Sequence, residues 1–278
     1  MGESATATIG IGRGNQLQLL EEMRFPDSLG LLYSAFTYQA GFKVNGGEYK
    51  LMGLAPFGQP RYVDRIYSDV IDVRDDGSFR MNQDLFDYRG GIRMTSRRFD
   101  QLFDGPPRRP DTPLTQREMD LARSVQVVCE ELVLRMARHA HLRTGLENLC
   151  MAGGVALNAV ANGRLSREGP FARIWVQPAA GDAGGALGAA LAAAHKYFGQ
   201  ARTTRHDRDA MKAALLGPEF DADDIRRTLD QAGARYTEVD ESGAVDRAAE
   251  ELARGKVVGW FQGRMEFGPR SISIDCVL

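Results

Sequence analysis

The run Asn148-Leu-Cys-Met-Ala-Gly-Gly-Val-Ala-Leu-Asn158 and, a short way on, Trp175-Val-Gln-Pro-Ala-Ala-Gly-Asp-Ala-Gly-Gly185 share one design. Each is a short apolar stretch that predicts a strand, then a tight glycine turn, then an alanine-rich helix. A turn of this kind leaves backbone N–H groups at a helix N-terminus, where the macrodipole also favours negative charge. Phosphate is the natural guest, and two such turns in tandem point to a nucleotide site in an α/β protein.

In the first turn, Gly153 and Gly154 would let a phosphate or ribose approach the backbone, because no Cβ stands in the way. Asn158 lies about one helical turn further, where its amide could bond the nucleotide. The spacing is neither a P-loop nor G-x-G-x-x-G, and packing alone would also account for a Gly-Gly at a strand–helix junction. The second turn, Gly181-Asp182-Ala-Gly184, adds a carboxylate at its mouth. Asp182 there reads either as the N-cap of the following helix or as a ligand for a hard or borderline cation.

Outward from this pair, the chain opens as a hairpin, Ala5 to Gly12 and Gln16 to Met23, turning at Arg13-Gly14-Asn15. Pro26-Asp27-Ser28 offers an N-cap for a helix carrying Leu32, Ala35, Phe36 and Gln39 at helical spacing. Glu48 and Lys50 follow a Gly-Gly turn in an otherwise apolar stretch ended by Pro56 and Gly58. They read as a solvated turn or as a loop lining the nucleotide pocket. Helical spacing near Tyr62 to Val70 and a turn at Asp75-Asp-Gly-Ser78 come next, then a proline-rich surface connection at 105–113. Thr115 with Glu118 predicts a capping box for a long helix with Val125, Cys129, Leu132 and Met136 on one face and Gly145 just past its end.

The C-terminal part predicts a helix (Asp223 to Ala232), a strand (Arg235 to Val239), a helix (Ala244 to Ala253) and a strand (Lys256 to Gln262). It ends in the rigid loop Gly263-Arg-Met-Glu-Phe-Gly-Pro-Arg270. Arg264 and Arg270 in such a loop suit bidentate binding of phosphate or carboxylate, or simply decorate an exposed charged loop.

Composition narrows the classes. The 278 residues are 43% hydrophobic and 26% charged, with a formal net charge of −2. That balance gives no long-range pull toward nucleic acid or anionic membrane, so small molecules are the expected partners. No apolar run nears the roughly 20 residues of a membrane span, and the first residues lack a signal-peptide core. Cys129, Cys150 and Cys276 are far apart and odd in number, which points to a reducing cytoplasm. His139 and His141, about 200° apart around a helix, do not share one metal, and His195 and His206 have no recognisable partners.

The stretches Phe25 to Thr37, Gly41 to Gly58, Met151 to Leu165, Gln177 to Leu191 and Val257 to Arg270 together resemble the carbamoyltransferase family of nodulation and antibiotic-tailoring enzymes. The resemblance covers nearly the whole chain. It implies an ATPase-like domain of the actin/sugar-kinase (ribonuclease H-like) superfold over 1–218 and, over 219–278, an α/β connection and the start of a YrdC-like domain. It also implies an activity: carbamoyl-adenylate made from carbamoyl phosphate and ATP, followed by carbamoyl transfer to an acceptor hydroxyl.

Carried over by motif, Gly153, Gly154 and Asn158, with Gly181 and Gly184, would hold the adenylate. Glu48 and Lys50 would line the same pocket, and Arg264 and Arg270 would begin the carbamoyl-phosphate site. Asp182 would be the aspartate of a divalent metal site, iron or magnesium, with Lys50 beside it in the chemistry. The family's histidine motif has no counterpart in this sequence, and Ser271 to Leu278 departs from the family pattern after two residues. On that basis the chain reads as the middle of the enzyme and inactive alone, the alternative being one part of a split enzyme with a complementing chain. The other readings are a non-catalytic nucleotide-binding remnant and a sugar or acetate kinase, the latter disfavoured by the 263–270 loop.

Overall fold

The computed structural model describes residues 4–90, 92–203, 210–268 and the strand 275–277. It is a mixed α/β structure in which the described strands join in four separate pairs.

The first pair is the expected hairpin, β1 (Ala5–Arg13) against β2 (Gln16–Arg24), antiparallel and closed by Gly14-Asn15. Helix α1 (Leu29–Gln39) then begins at Ser28, whose hydroxyl accepts from Leu31 N–H at 3.2 Å. This is the N-cap the sequence announces, since a side-chain oxygen there satisfies a donor that has no partner inside the helix. Leu32, Ala35, Phe36 and Gln39 form its buried face.

The Gly46-Gly47 stretch opens a helix, α2 (Glu48–Leu54), so Glu48 and Lys50 lie on a helix and not in a loop. The reason is the glutamate itself. Its carboxylate turns back on the preceding residues, accepting from Asn45 N–H at 2.9 Å and Gly47 N–H at 3.1 Å, and it ties them to Ser34 Oγ of α1 at 2.8 Å. Residues 63–70 are helical, as the spacing predicts, and lead into the short hairpin of β3 (Ile71–Val73) and β4 (Phe79–Met81). Helix α3 (Arg97–Leu102) adds Phe99 to a cluster of edge-on and tilted rings with Phe36, Phe103, Tyr62 and Phe86.

The axis of the core is α4 (Gln116–Thr144), about 43 Å long at 1.5 Å per residue. Its start is fixed by Glu118, which accepts from Thr115 N–H at 2.9 Å and Thr115 Oγ1 at 2.6 Å. Its end is Gly145, held in the left-handed region at φ 64°, where a Cβ would be strained. Leu121, Ala122, Val125, Val128, Cys129 and Leu132 are inaccessible along one side, against α1 and α2. Met136, also expected on that face, is partly buried. The end of α4 around His139 is a junction. His139 Nε2 lies 2.7 Å from Glu21 Oε2 and Arg143 Nε donates to Glu21 Oε1 at 2.9 Å, which fastens the first hairpin to α4.

Next comes a parallel unit: β5 (Asn148–Met151), α5 (Ala159–Glu168), β6 (Arg173–Val176) and α6 (Asp182–Ala192). The strands pair in register Asn148↔Arg173 to Met151↔Val176. Leu149, Met151 and Ile174 face the core, while Cys150 and Trp175 face outward.

Beyond residue 210, α7 (Ala222–Gln231) and α8 (Glu241–Ala253) are capped by Asp221 and Asp240 and bury none of their residues. The strand predicted over Arg235 to Val239 does not form. Residues 234–240 have no ladder partner among the described residues and are held by side chains instead, Arg226 to Glu238 at 2.6 Å and Tyr236 OH to Asp230 at 3.0 Å. The last predicted strand shortens to β7 (Gly259–Phe261), antiparallel to β8 (Asp275–Val277). No helix among the described residues is long and apolar enough to cross a membrane.

Candidate functional site

Both glycine turns leave the carboxyl ends of adjacent parallel strands, the place where open α/β sheets take their ligands. They touch. Gly153 N–H donates to Ala180 C=O at 2.7 Å, so the first turn is fastened to the segment that enters the second. Gly153 adopts φ 102° and ψ 160°, a conformation that L residues with a Cβ avoid. A Cβ built on Gly153, Gly154, Gly181 or Gly185 would meet nothing within 4 Å, so the backbone there borders open space. Gly184 differs: a Cβ on it would fall 2.1 Å from Ala179 O. The first pair keeps an approach clear, while Gly184 is a packing necessity.

The first turn continues as a tight helical turn over 154–157, and then α5 begins at Asn158. Asn158 is the N-cap, with Oδ1 accepting from Ala161 N–H at 3.0 Å, and only 8% of the residue is exposed. Its amide is also committed on the other side. Nδ2 donates to Gln126 Oε1 at 2.9 Å, and Oδ1 accepts from Gln126 Nε2 at 3.1 Å. The amide expected to bond a nucleotide is thus committed to protein partners and to capping α5. Neither Gln126 nor its neighbours Tyr33 and Glu130 stood out in the sequence. The available signal was a glutamine on the core stripe of Ala122, Cys129 and Val133.

The second turn places Gly181 at the N-cap and Asp182 at the first helical residue of α6, so Asp182 is not the cap. A carboxylate there is favoured by the dipole of an 11-residue helix. Among the described residues no three His, Cys, Asp or Glu side chains come together. One carboxylate is not a cation site for iron or magnesium, and the described residues do not fit that metal by themselves.

The remaining predicted residues lie apart in their bonding. The Glu48 carboxylate is spent on its own loop and on Ser34, as above. Lys50 is exposed, with its ammonium 6.0 Å from the centre of the Tyr49 ring. Helix α1, which holds Glu48 through Ser34 at its middle, reaches the first turn at its N-terminal end, where a Cβ on Gly30 would lie 3.8 Å from Val155 Cγ2. Arg264 donates to Gly217 C=O at 3.0 Å and pairs with Glu219 at 3.1 Å, both side chains about half exposed. Its loop nonetheless approaches the site, since a Cβ on Gly268 would lie 3.7 Å from Ala179 Cβ beside the second turn. Arg270 and His206 fall outside the described residues.

Burial pushes the Cys129 thiol, which lies behind the Asn158 amide, up to about 12, so it is no nucleophile.

Comparison with known proteins fits this layout. Residues 1–191 match the family model described as carbamoyltransferase N-terminus, and residues 249–278 match that of the carbamoyltransferase C-terminus. An uncharacterised protein of Synechocystis sp. is 54% identical over 98% of this chain and 44% of its own length. Nodulation protein NolNO of Sinorhizobium fredii is 36% identical over all of this chain and 38% of its own. Nodulation protein NolO of Bradyrhizobium diazoefficiens is 33% identical over all of this chain and 48% of its own. The chain thus spans less than half the length of these relatives. With one family model covering more than half of its residues and a second its C-terminal end, the chain belongs to the carbamoyltransferase family.

Proposed function

We propose that the two glycine turns are the nucleotide floor of an ATP-dependent O-carbamoyltransferase. From carbamoyl phosphate, ATP and water such an enzyme makes carbamoyl-adenylate, releasing phosphate and pyrophosphate, and passes the carbamoyl group to an acceptor hydroxyl. The observation that carries this reading is the Gly153 to Ala180 bond of 2.7 Å, which joins two open, Cβ-free turns at the ends of parallel strands. Backbone that close to a phosphate, beside the N-terminus of α6, stabilises negative charge without a side chain.

Within this reading, β5, α5, β6 and α6 belong to an actin/sugar-kinase-like domain ending near residue 218, and the segment after it opens a YrdC-like domain. Asp182 at the mouth of the second turn orients charge near the phosphates, and Lys50 is an exposed cation on the neighbouring helix α2. Arg264 and Arg270 begin the carbamoyl-phosphate pocket, which requires Arg264 to exchange Glu219 for the substrate. In the transfer, the hydroxyl oxygen attacks the carbamoyl carbon, the bond to the adenylate oxygen breaks, AMP leaves, and the hydroxyl proton passes to a base. This chain by itself, with one carboxylate at the site and Arg264 already paired, binds nucleotide without turnover and works with a complementing chain.

Calorimetric titration of the purified chain with ATP, ADP and AMP tests the floor, and ATP-dependent consumption of carbamoyl phosphate tests the chemistry. Binding without turnover is expected. A chain that binds no adenine nucleotide refutes the reading of the turns, and full turnover by the isolated chain refutes the need for a partner.

A further inference from the structure

We propose that Gln126, buried on α4 behind the Asn158 cap, is a positioning residue for the first glycine turn. This rests on the nucleotide reading of that turn. Gln126 is 1% exposed and all four of its hydrogen-bonding valences are used. Its Oε1 accepts from Tyr33 OH and from Asn158 Nδ2, each at 2.9 Å. Its Nε2 donates to Asn158 Oδ1 and to Glu130 Oε1, each at 3.1 Å.

The bond to Asn158 is reciprocal, donor to acceptor in both directions, which needs a donor and an acceptor side by side at that length, as a primary amide or an un-ionised carboxylic acid provides. From Asn158 the constraint runs outward through short bonds. Asn158 N–H donates to Val155 C=O at 2.9 Å, and Ala156 N–H donates to Gly153 C=O at 3.0 Å. Asn162 Nδ2 reaches Ala156 C=O at 2.7 Å, and Gly153 N–H ends the series on Ala180. A glycine turn has little rigidity of its own, because glycine restricts the backbone least. With an apolar side chain at 126, both polar atoms of the Asn158 amide lose a buried partner, and the cap can leave its place to find water. Gln126 fixes the cap, and the cap fixes where the turn presents its backbone.

Two variants test this, Gln126→Leu and Gln126→Glu, each measured as the full chain for helicity, for amide hydrogen exchange by peptide, and for ADP affinity. Gln126→Leu is expected to keep the helical signal, to speed exchange over residues 151–158, and to lower ADP affinity at least tenfold. Gln126→Glu is expected to behave like it at pH 8, where a carboxylate faces Asn158 Oδ1 and Glu130. The groups around position 126 are Glu130 and Cys129 on α4, Tyr33 on α1 and Asn158 on α5, with Arg123 3.9 Å from Glu130. Burial and the Glu130 charge both favour the neutral acid there, so lowering the pH is expected to protonate it more readily than an exposed glutamate. The neutral acid has one donor and one acceptor, and it restores slow exchange and ADP binding, while the wild-type chain shows no such recovery.

A merely structural glutamine would instead loosen the whole of α4 and show no recovery limited to residues 151–158. That result, or unchanged exchange over 151–158 in both folded variants, overturns the proposal. If the wild-type chain binds no ADP yet the variants speed exchange at 151–158 with the pH reversal, the nucleotide reading falls and the positioning role stands.

Discussion

Gly153 and Gly154 stand side by side, and the structure gives them different reasons for being glycine. Neither would bring an added Cβ within 4 Å of another atom, so neither substitution by alanine costs packing. Gly153 sits at φ 102°, and holding alanine there costs about 1–3 kcal/mol of backbone strain. Relief of that strain moves its N–H away from Ala180 O and its C=O away from Ala156 N–H, bonds of 2.7 Å and 3.0 Å. Gly154 begins the tight turn over 154–157 with no left-handed requirement, and alanine there is a better former of helical turns. The expected pattern is therefore split. Gly153→Ala lowers stability by the strain and loses nucleotide binding. Gly154→Ala stays within about 0.5 kcal/mol of wild type, the usual range for a substitution without a structural cause. It still fills the open approach with a methyl group and weakens ADP binding tenfold or more, about 1.4 kcal/mol. Urea unfolding followed by circular dichroism gives the first quantity and calorimetric titration the second. If Gly154→Ala is as stable as the wild type and binds ADP equally well, the open space over the turn is not where phosphate sits.

Two further outcomes follow from buried groups. Although burial works the other way, the Thr115 hydroxyl and N–H, with Arg117 at 3.0 Å, hold the Glu118 carboxyl below its ordinary value of 4.5. The side chain is 3% exposed, so Glu118→Ala is expected to cost about 3 kcal/mol in urea unfolding at pH 7. Because the folded value is the lower one, the stability gap between wild type and Glu118→Gln is complete above about pH 5 and closes as pH falls through the folded value; a gap that widens in acid contradicts the assignment. At pH 8 iodoacetamide is expected to modify the exposed Cys150 and to spare Cys129, as read by peptide mass mapping, until denaturant is added. Early modification of Cys129 would place the helix pair α4–α5 differently.

What the sequence discloses is local. Ser28 and the α1 face, the Thr115 box, Gly145 and the strand–turn–helix units each lie within a few residues of the bonds that form them, so turn and cap chemistry suffices to find them. What it conceals depends on distant partners. The segment Arg235 to Val239 has the composition of a strand but no neighbouring strand to ladder with among the described residues, and a strand without a partner is not one. Glu48 reads as a loop charge because Ser34, 14 residues upstream, cannot be seen as its anchor. His139 and Glu21 meet across 118 positions, and Gln126 and Asn158 across 32. The resemblance supplied the family and the separate roles expected of the two turns, whereas the bonding of Asn158 and Arg264 had to come from geometry.

The arrangement also accounts for how the proposed nucleotide floor, made of glycine, would be precise. Glycine clears the approach for a phosphate but gives up conformational entropy more than any other residue when it is ordered. Order must therefore be imported from groups outside the opening. Here it comes from two directions, the Ala180 carbonyl beneath Gly153 and the Gln126–Asn158 amide pair behind the turn. Helix α4 spans the core from the Glu118 cap to the Glu21 junction, so the amide pair is anchored to the long helix that runs along the core. Precision at the turns is thus a property of the core, and substitutions in α4 that never face the opening should alter nucleotide binding before they alter the fold.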